Sequence, residues 1–278
     1  MAAFCDLHTH SLASDGSCAP AELVALAQKA GLSAIALTDH NTVAGLSEFL
    51  EAAKGTGIWA VPGIEFSTDW GETELHIVGL FIEQTHYDAV NCLLAQARQW
   101  KIDSNLALTQ ALNRAGIPIQ YERVSARTEG IPNRAHFAAE LTQMGVTGSI
   151  KEAIHTLLSP KNGVYKPPRH LDALETIDFI HSLGAVAILA HPFLNLKEPA
   201  LREFLSQAKN LDAMETLYTD FTPELTQRAQ ALAKEFGLLE SGGTDFHGAN
   251  KPHINLGDTK VPMEFLEKLH SCTHSASL

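Results

Sequence analysis

The chain has 278 residues, of which 45% are apolar and 19% charged, with a formal net charge of −12 at neutral pH. That apolar share can fill one barrel-sized α/β domain, with or without an insertion, while the acidic balance excludes a generic basic surface tracking long nucleic acid. The four cysteines form no CxxC pair, and neither a secretory leader nor a membrane-length apolar run is present. Disulfide scaffold, thiolate zinc site and membrane partner are therefore not expected, and the expected location is cytoplasmic.

In chain order, Ala3-Phe4-Cys5 reads as a short buried strand running into DLHTHS (residues 6–11). Pro20 opens an apolar-periodic helix, AELVALAQKA, with Gly31 as its stop. SAIALT is a buried strand ending at Asp39-His40, followed by a helix from about Val43 to Lys54 and a strand, IWAVPG, ending near Glu65. ELHIVGLF (residues 74–81) is a further strand after the turn-like DWGE. Repeated strand and helix imply parallel strands joined by right-handed crossovers.

From about His86 to Arg114 the pattern is a long helix, and between there and Tyr165 only helical pieces appear, over 134–144 and 150–158. Alternation then resumes. Asp172 caps a helix over Ala173–Leu183 with Gly184 as stop, AVAILAHP and DAMETLY are strands, Pro223 to Phe236 is a helix stopped by Gly237, and LLESGGTDFH closes the series. The fold expected is an α/β barrel over 1–98 and 167–278, with a mostly helical insertion over 99–166.

Fourteen histidines is an unusual number, and their placement is informative. His8 and His10 stand two apart, on one face of a strand, where two imidazoles suit either a metal ion or a hydrogen-bonded polar pair. His40, Glu65, His191, Asp245 and His247 also fall at or beyond expected strand ends, where side chains converge in barrel-type folds. Taken singly, His40 could cap a turn, Glu65 be a solvated acid and His76, on an apolar strand, a satisfied core histidine. Together with Asp15, these six histidines and three carboxylates form a nitrogen and oxygen donor set without thiolate, which suits two or three divalent ions such as Mn²⁺, Zn²⁺ or Fe²⁺.

DLHTHS with Asp15 in SDGS, TDHNT, PGIEFS, ELHIVGL, AHP and GTDFHG resemble, in order and spacing, the motifs of the PHP (polymerase and histidinol phosphatase) family of amidohydrolase-like metal-dependent barrels. The resemblance implies a distorted (β/α)₇ barrel with three divalent ions. One would be held by His8, His10, Glu65 and Asp245, a second by Glu65, His76 and His191, and a third by Asp15, His40 and His247, with Asp245, His191 and His247 as the catalytic candidates. IPNRAHFAAEL and LLSPKNGVYKPPR resemble the insertion of the nucleotide-phosphatase branch, although Ala135 replaces that branch's usual proline. By that resemblance Arg134 and His136, with Lys166 and Arg169, are substrate contacts. The activity implied is removal of the 3′-phosphate from nucleoside 3′,5′-bisphosphates. Alternatives are 5′→3′ exoribonuclease action on short oligoribonucleotides, cyclic phosphodiesterase, histidinol phosphatase, or a non-catalytic metal-stabilised module.

Overall fold

The structure is a computed structural model that describes residues 3–128, 130–162 and 164–273. In chain order its elements are β1 (Phe4–Asp6), α1 (Pro20–Lys29), β2 (Ala34–Leu37), α2 (Leu46–Ala53), β3 (Trp59–Trp70), β4 (Thr73–Leu80), α3 (Tyr87–Arg114), α4 (Tyr121–Ser125), α5 (Arg134–Gln143) and α6 (Ile150–His155). Then come β5 (Leu171–Asp172), α7 (Ala173–Ser182), β6 (Val186–Leu189), α8 (Glu198–Gln207), β7 (Ala213–Tyr218), α9 (Pro223–Phe236), β8 (Leu239–Gly243), β9 (Val261–Pro262) and α10 (Met263–Ser271). The chain forms two compact units, Met1–Asn91 with Leu171–Leu278, and Cys92–His170.

In the first unit the strands follow the order β8-β7-β6-β4-β3-β2-β1-β9, with β5 attached to β3. The path bends back on itself. Leu7 N–H donates to the Gly242 carbonyl at 3.2 Å, and Thr9 bridges Phe246 in parallel, so β1 meets β8 and seven strands form a nearly closed barrel. Close approach at this seam requires Gly243, because a Cβ there would lie 2.4 Å from His8 Cβ. Small and β-branched residues of the strands, among them Ala34, Ala36, Val61, Val78, Val186 and Ile188, fill the core. Around them α1, α7 and α9 bury one face each, through Leu23 and Val24, Ile177 and Ile180, and Ala229 and Leu232.

Local chemistry sets the boundaries of these helices. The Asp172 carboxylate accepts from Leu174 N–H and Glu175 N–H, Thr222 Oγ1 accepts from Leu225 N–H, and Gly237 ends α9 at φ +70°.

Two details of β3 and β4 differ from the sequence reading. β4 runs antiparallel to both β3 and β6, because β3 returns through a two-residue turn whose first residue, Gly71, has φ +61°. A turn this short cannot make a parallel crossover. β3 also continues to Trp70, which leaves Glu65 inside the strand rather than at its end.

Among its described residues the second unit contains helices joined by loops and no strand. Leu108, Leu112, Phe137, Leu141, Ala153 and Leu158 form its core. Asn133 caps α5: its side-chain oxygen accepts from Ala135 N–H at 3.0 Å and His136 N–H at 3.3 Å, while His136 Nδ1 accepts from Asn133 N–H at 3.0 Å.

Candidate metal centre

Glu65 lies at the centre of the first unit's cluster and is fully buried. Its Oε2 lies 3.0 Å from His8 Nε2, 3.1 Å from His10 Nε2 and 3.2 Å from His40 Nδ1. Its Oε1 lies 2.8 Å from His76 Nδ1 and 3.0 Å from His191 Nε2. Five imidazoles from four strands and their following loops thus surround one carboxylate. Asp245 Oδ1 closes on the same group, 3.2 Å from His10 Nε2 and 3.4 Å from His247 Nδ1. Asp15 Oδ1 lies 3.2 Å from His247 Nε2.

Backbone geometry aims these side chains. His8 and His10 alternate with Thr9, whose hydroxyl donates to the Ala36 carbonyl and points away from the cluster. The loop after His10 is held by Asp39, whose carboxylate accepts from Ser11 N–H at 2.7 Å and from the Ser11 and Ser14 hydroxyls at 2.6 Å each. Asp6, the acid of DLHTHS, accepts from Thr244 N–H, the Thr244 hydroxyl and Gly257 N–H, so it joins β1 to the segment that carries Asp245. His191 and Asp245 adopt φ +27° and +56°, the left-handed region that non-glycine residues enter only when their surroundings hold them there.

The donor set fits divalent ions. His8 Nδ1–H donates to the Glu215 carboxylate at 2.8 Å, so Nε2 is the atom left to face Glu65 Oε2 and His10 Nε2, the latter 3.1 Å away. Lone pairs meeting at that distance require a shared proton or a cation. Glu65 Oε2, His10 Nδ1 and His40 Nδ1 are buried without hydrogen-bond partners. Groups whose donor atoms lie within 4.8 Å of one another are His10, Asp15, His40 and His247; His8, Glu65 and His191; His8, His10 and Asp245; and His40, Glu65 and His76. All nine donors singled out in the sequence belong to at least one of these groups.

The charges respond to this crowding. Burial opposes ionisation of Glu65, and the imidazoles of His8, His40 and His76 override it, holding the carboxyl well below its ordinary range. Burial likewise opposes charging of His10 and His76, but nearby carboxylates lift them to about 9 and about 10, Asp245 and Glu65 acting on the first and Glu65 on the second. Burial wins at His40, which falls to about 3.

The four expected substrate contacts lie in the second unit. Arg134 opens α5 with its guanidinium carbon 5.5 Å from the Tyr165 ring centre, and the guanidinium of Arg169 lies 5.1 Å from that of Trp100. Lys166 is exposed, its carbonyl accepting from the Ser104 hydroxyl, and His136 takes part in the α5 cap.

Sequence reasoning did not select Glu215, Tyr218 or Lys251. Glu215 accepts from His8 and from His191 N–H, while the Tyr218 hydroxyl and Lys251 Nζ donate to Asp245 Oδ2 at 2.9 and 2.6 Å. An acid within the apolar run AMETLY was the available signal for Glu215; nothing local marked the other two.

Comparison with known proteins follows the same line. The PHP domain matches residues 6–175. A 5'-3' exoribonuclease of Haemophilus influenzae is 36% identical over 87% of this chain and 89% of its own. A 3',5'-nucleoside bisphosphate phosphatase of Chromobacterium violaceum is 28% identical over 92% and 91%. Among solved structures, a candidate metal-dependent phosphoesterase from Bifidobacterium adolescentis superposes with a TM-score of 0.85 at 25% identity, covering 99% of this chain and 98% of its own.

Proposed function

Because this chain belongs to the PHP family of metal-dependent phosphoesterases, we propose that it hydrolyses the ester on the 3′-oxygen of a 5′-phosphorylated nucleotide, releasing inorganic phosphate from nucleoside 3′,5′-bisphosphates. The observation that carries this reading is the ring of donors around Glu65. His8, His10, Asp15, His40, Glu65, His76, His191, Asp245 and His247 would hold three divalent ions, with Mn²⁺, Zn²⁺ and Fe²⁺ suited to such nitrogen and oxygen donors. Divalent ions supply, when bound, neutralisation of phosphoryl oxygens and a water acidic enough to attack at neutral pH. Three donor carboxylates and the adjoining Glu215 against three dications would still leave a cationic site inside an acidic protein, so an anionic ester would be attracted despite the net charge of −12.

The chain's own residues prepare that site. His247 Nδ1–H donates to the Asp245 carbonyl at 2.8 Å, which leaves Nε2 as the donor atom facing Asp15. Asp245 stays ionised: burial opposes this, and His8 and His10 override it. In the second unit Arg134, with Lys166 and Arg169, is assigned to the substrate's phosphates, and His136 to the same contact region; a guanidinium forks onto phosphate oxygens as a bidentate donor.

A second reading is 5′→3′ exoribonuclease action, favoured by the Haemophilus relative, whose identity of 36% exceeds the 28% of the bisphosphate phosphatase. The two readings share one scissile bond, between phosphorus and the 3′-oxygen of a 5′-phosphorylated nucleotide. They differ only in whether the phosphorus carries a further nucleotide. Product analysis with adenosine 3′,5′-bisphosphate and with 5′-phosphorylated di- and trinucleotides, in the presence and absence of Mn²⁺, separates them. Metal-dependent phosphate release from the bisphosphate supports the first reading, faster turnover of the oligonucleotides supports the second, and hydrolysis of neither overturns both.

A further inference from the structure

β7 contributes none of the nine donors, yet two of its side chains reach three of them. Glu215, 2% exposed, accepts from His8 Nδ1–H at 2.8 Å through Oε1 and from His191 N–H at 2.6 Å through Oε2. Tyr218 donates its hydroxyl to Asp245 Oδ2 at 2.9 Å, and its ring centre lies 5.5 Å from that of His191. In a regular strand, residues three apart face opposite sides of the sheet. Here the pairing with β8 shifts between Glu215 and Leu217: Glu215 pairs with Ser241, but Leu217 pairs with Gly242. Thr216 is the extra residue of a β-bulge, and the bulge turns Glu215 and Tyr218 toward the same cluster. Gly242 makes room for it, since a Cβ there would sit 2.4 Å from the Leu217 carbonyl oxygen.

We infer that β7 is a positioning strand, in which the bulge at Thr216 directs Glu215 and Tyr218 to fix the orientation of His8, His191 and Asp245 for ion binding. This rests on reading the cluster as a metal centre. Glu215 selects the His8 tautomer whose Nε2 lone pair faces Glu65, and it ties the left-handed backbone of His191 to the same anchor. Tyr218 shares with Lys251 the hold on Asp245 Oδ2, which leaves the other oxygen, Oδ1, toward His8, His10 and His247.

The test is Mn²⁺ binding at equilibrium, measured by dialysis on the wild-type chain and on Glu215→Gln and Tyr218→Phe, with Co²⁺ absorption spectra reporting the ligand geometry. The glutamine keeps one acceptor but presents its NH₂ either to His8 Nδ1–H or to His191 N–H. Its Mn²⁺ affinity is expected to fall about 10- to 100-fold, as on loss of other outer-shell partners, with an altered Co²⁺ spectrum. Tyr218→Phe removes a single donor and is expected to lose about three- to tenfold. The melting temperature in chelator is read alongside, so that an effect on folding alone is recognised. Should Glu215→Gln not fold, Tyr218→Phe carries the test. If the wild type binds Mn²⁺ and the folded variants match it in affinity and spectrum, the role of β7 is overturned while the metal centre stands. Wild type that takes up neither ion overturns the metal centre itself.

Discussion

Glu65 is the residue on which the cluster depends, because both its oxygens are shared among imidazoles from different strands. Glu65→Gln replaces one shared acceptor with a donor facing other donors. Phosphoesterase activity is expected to fall by more than the roughly 100-fold typical of an outer-shell change, together with metal content measured by elemental analysis. Protons compete with ions for these nitrogens. His10 at about 9 and His76 at about 10 lie above the ordinary value of 6.5, so in the ion-free protein their stabilising contribution is complete below pH 6.5 and is lost as pH rises through 9 and 10. His40, lowered to about 3, acts in the opposite sense between pH 3 and 6.5. Ion binding requires neutral imidazoles and is strengthened over the same rise. The gap in melting temperature between Mn²⁺-loaded and chelated protein is therefore expected to widen from about pH 6 to about pH 9. A gap that narrows would contradict this account. The donor residues were legible in the sequence because imidazoles cluster in short motifs. Tyr218 and Lys251 were not, since only the fold brings them to Asp245.

At the scale of elements, the seam between β1 and β8 holds the barrel together where the clustered imidazoles and carboxylates are densest. Gly243→Ala would drive a Cβ into His8, and it is expected to cost about 2–3 kcal/mol in urea unfolding and to lower ion affinity, because the two strands must separate. A contrasting case lies far along the chain from any donor: Thr222→Ala removes the cap of α9 and is expected to cost about 1 kcal/mol while leaving turnover unchanged. Helices with such signals, α1, α7 and α9, are readable from a proline, an N-cap or a glycine stop. The sequence reading assigns no helix to 198–207, although Leu201, Phe204 and Leu205 recur at helical spacing and are buried. It also takes β4 as one more parallel strand, because hydrophobic pattern identifies a strand without giving its direction. Only the two-residue turn at Gly71-Glu72 decides that.

For the whole molecule, net charge and bound ions act at different ranges. The chain's excess of acid, 32 Asp and Glu against 20 Lys and Arg, disfavours a long polyanion, whereas the charge of ions held by the cluster would stay local to it. Turnover measured across 5′-phosphorylated RNAs is expected to favour the shortest and to fall with chain length; rising turnover on long RNA would show a binding track that the composition lacks. Chelation is expected to lower the melting temperature as well as activity, since an ion present at 100 times its dissociation constant stabilises the folded chain by about 2.7 kcal/mol per site. By itself the sequence determined which residue types are available, that strands and helices alternate, and that nine nitrogen and oxygen donors fall in short motifs, because these are local properties of composition and period. Tertiary structure decided that five imidazoles share Glu65, that β4 runs against its neighbours, and that a bulge in β7 turns Glu215 and Tyr218 toward the same cluster. Those outcomes depend on how distant segments pair, and pairing is set by backbone hydrogen bonds and close packing that no single segment encodes.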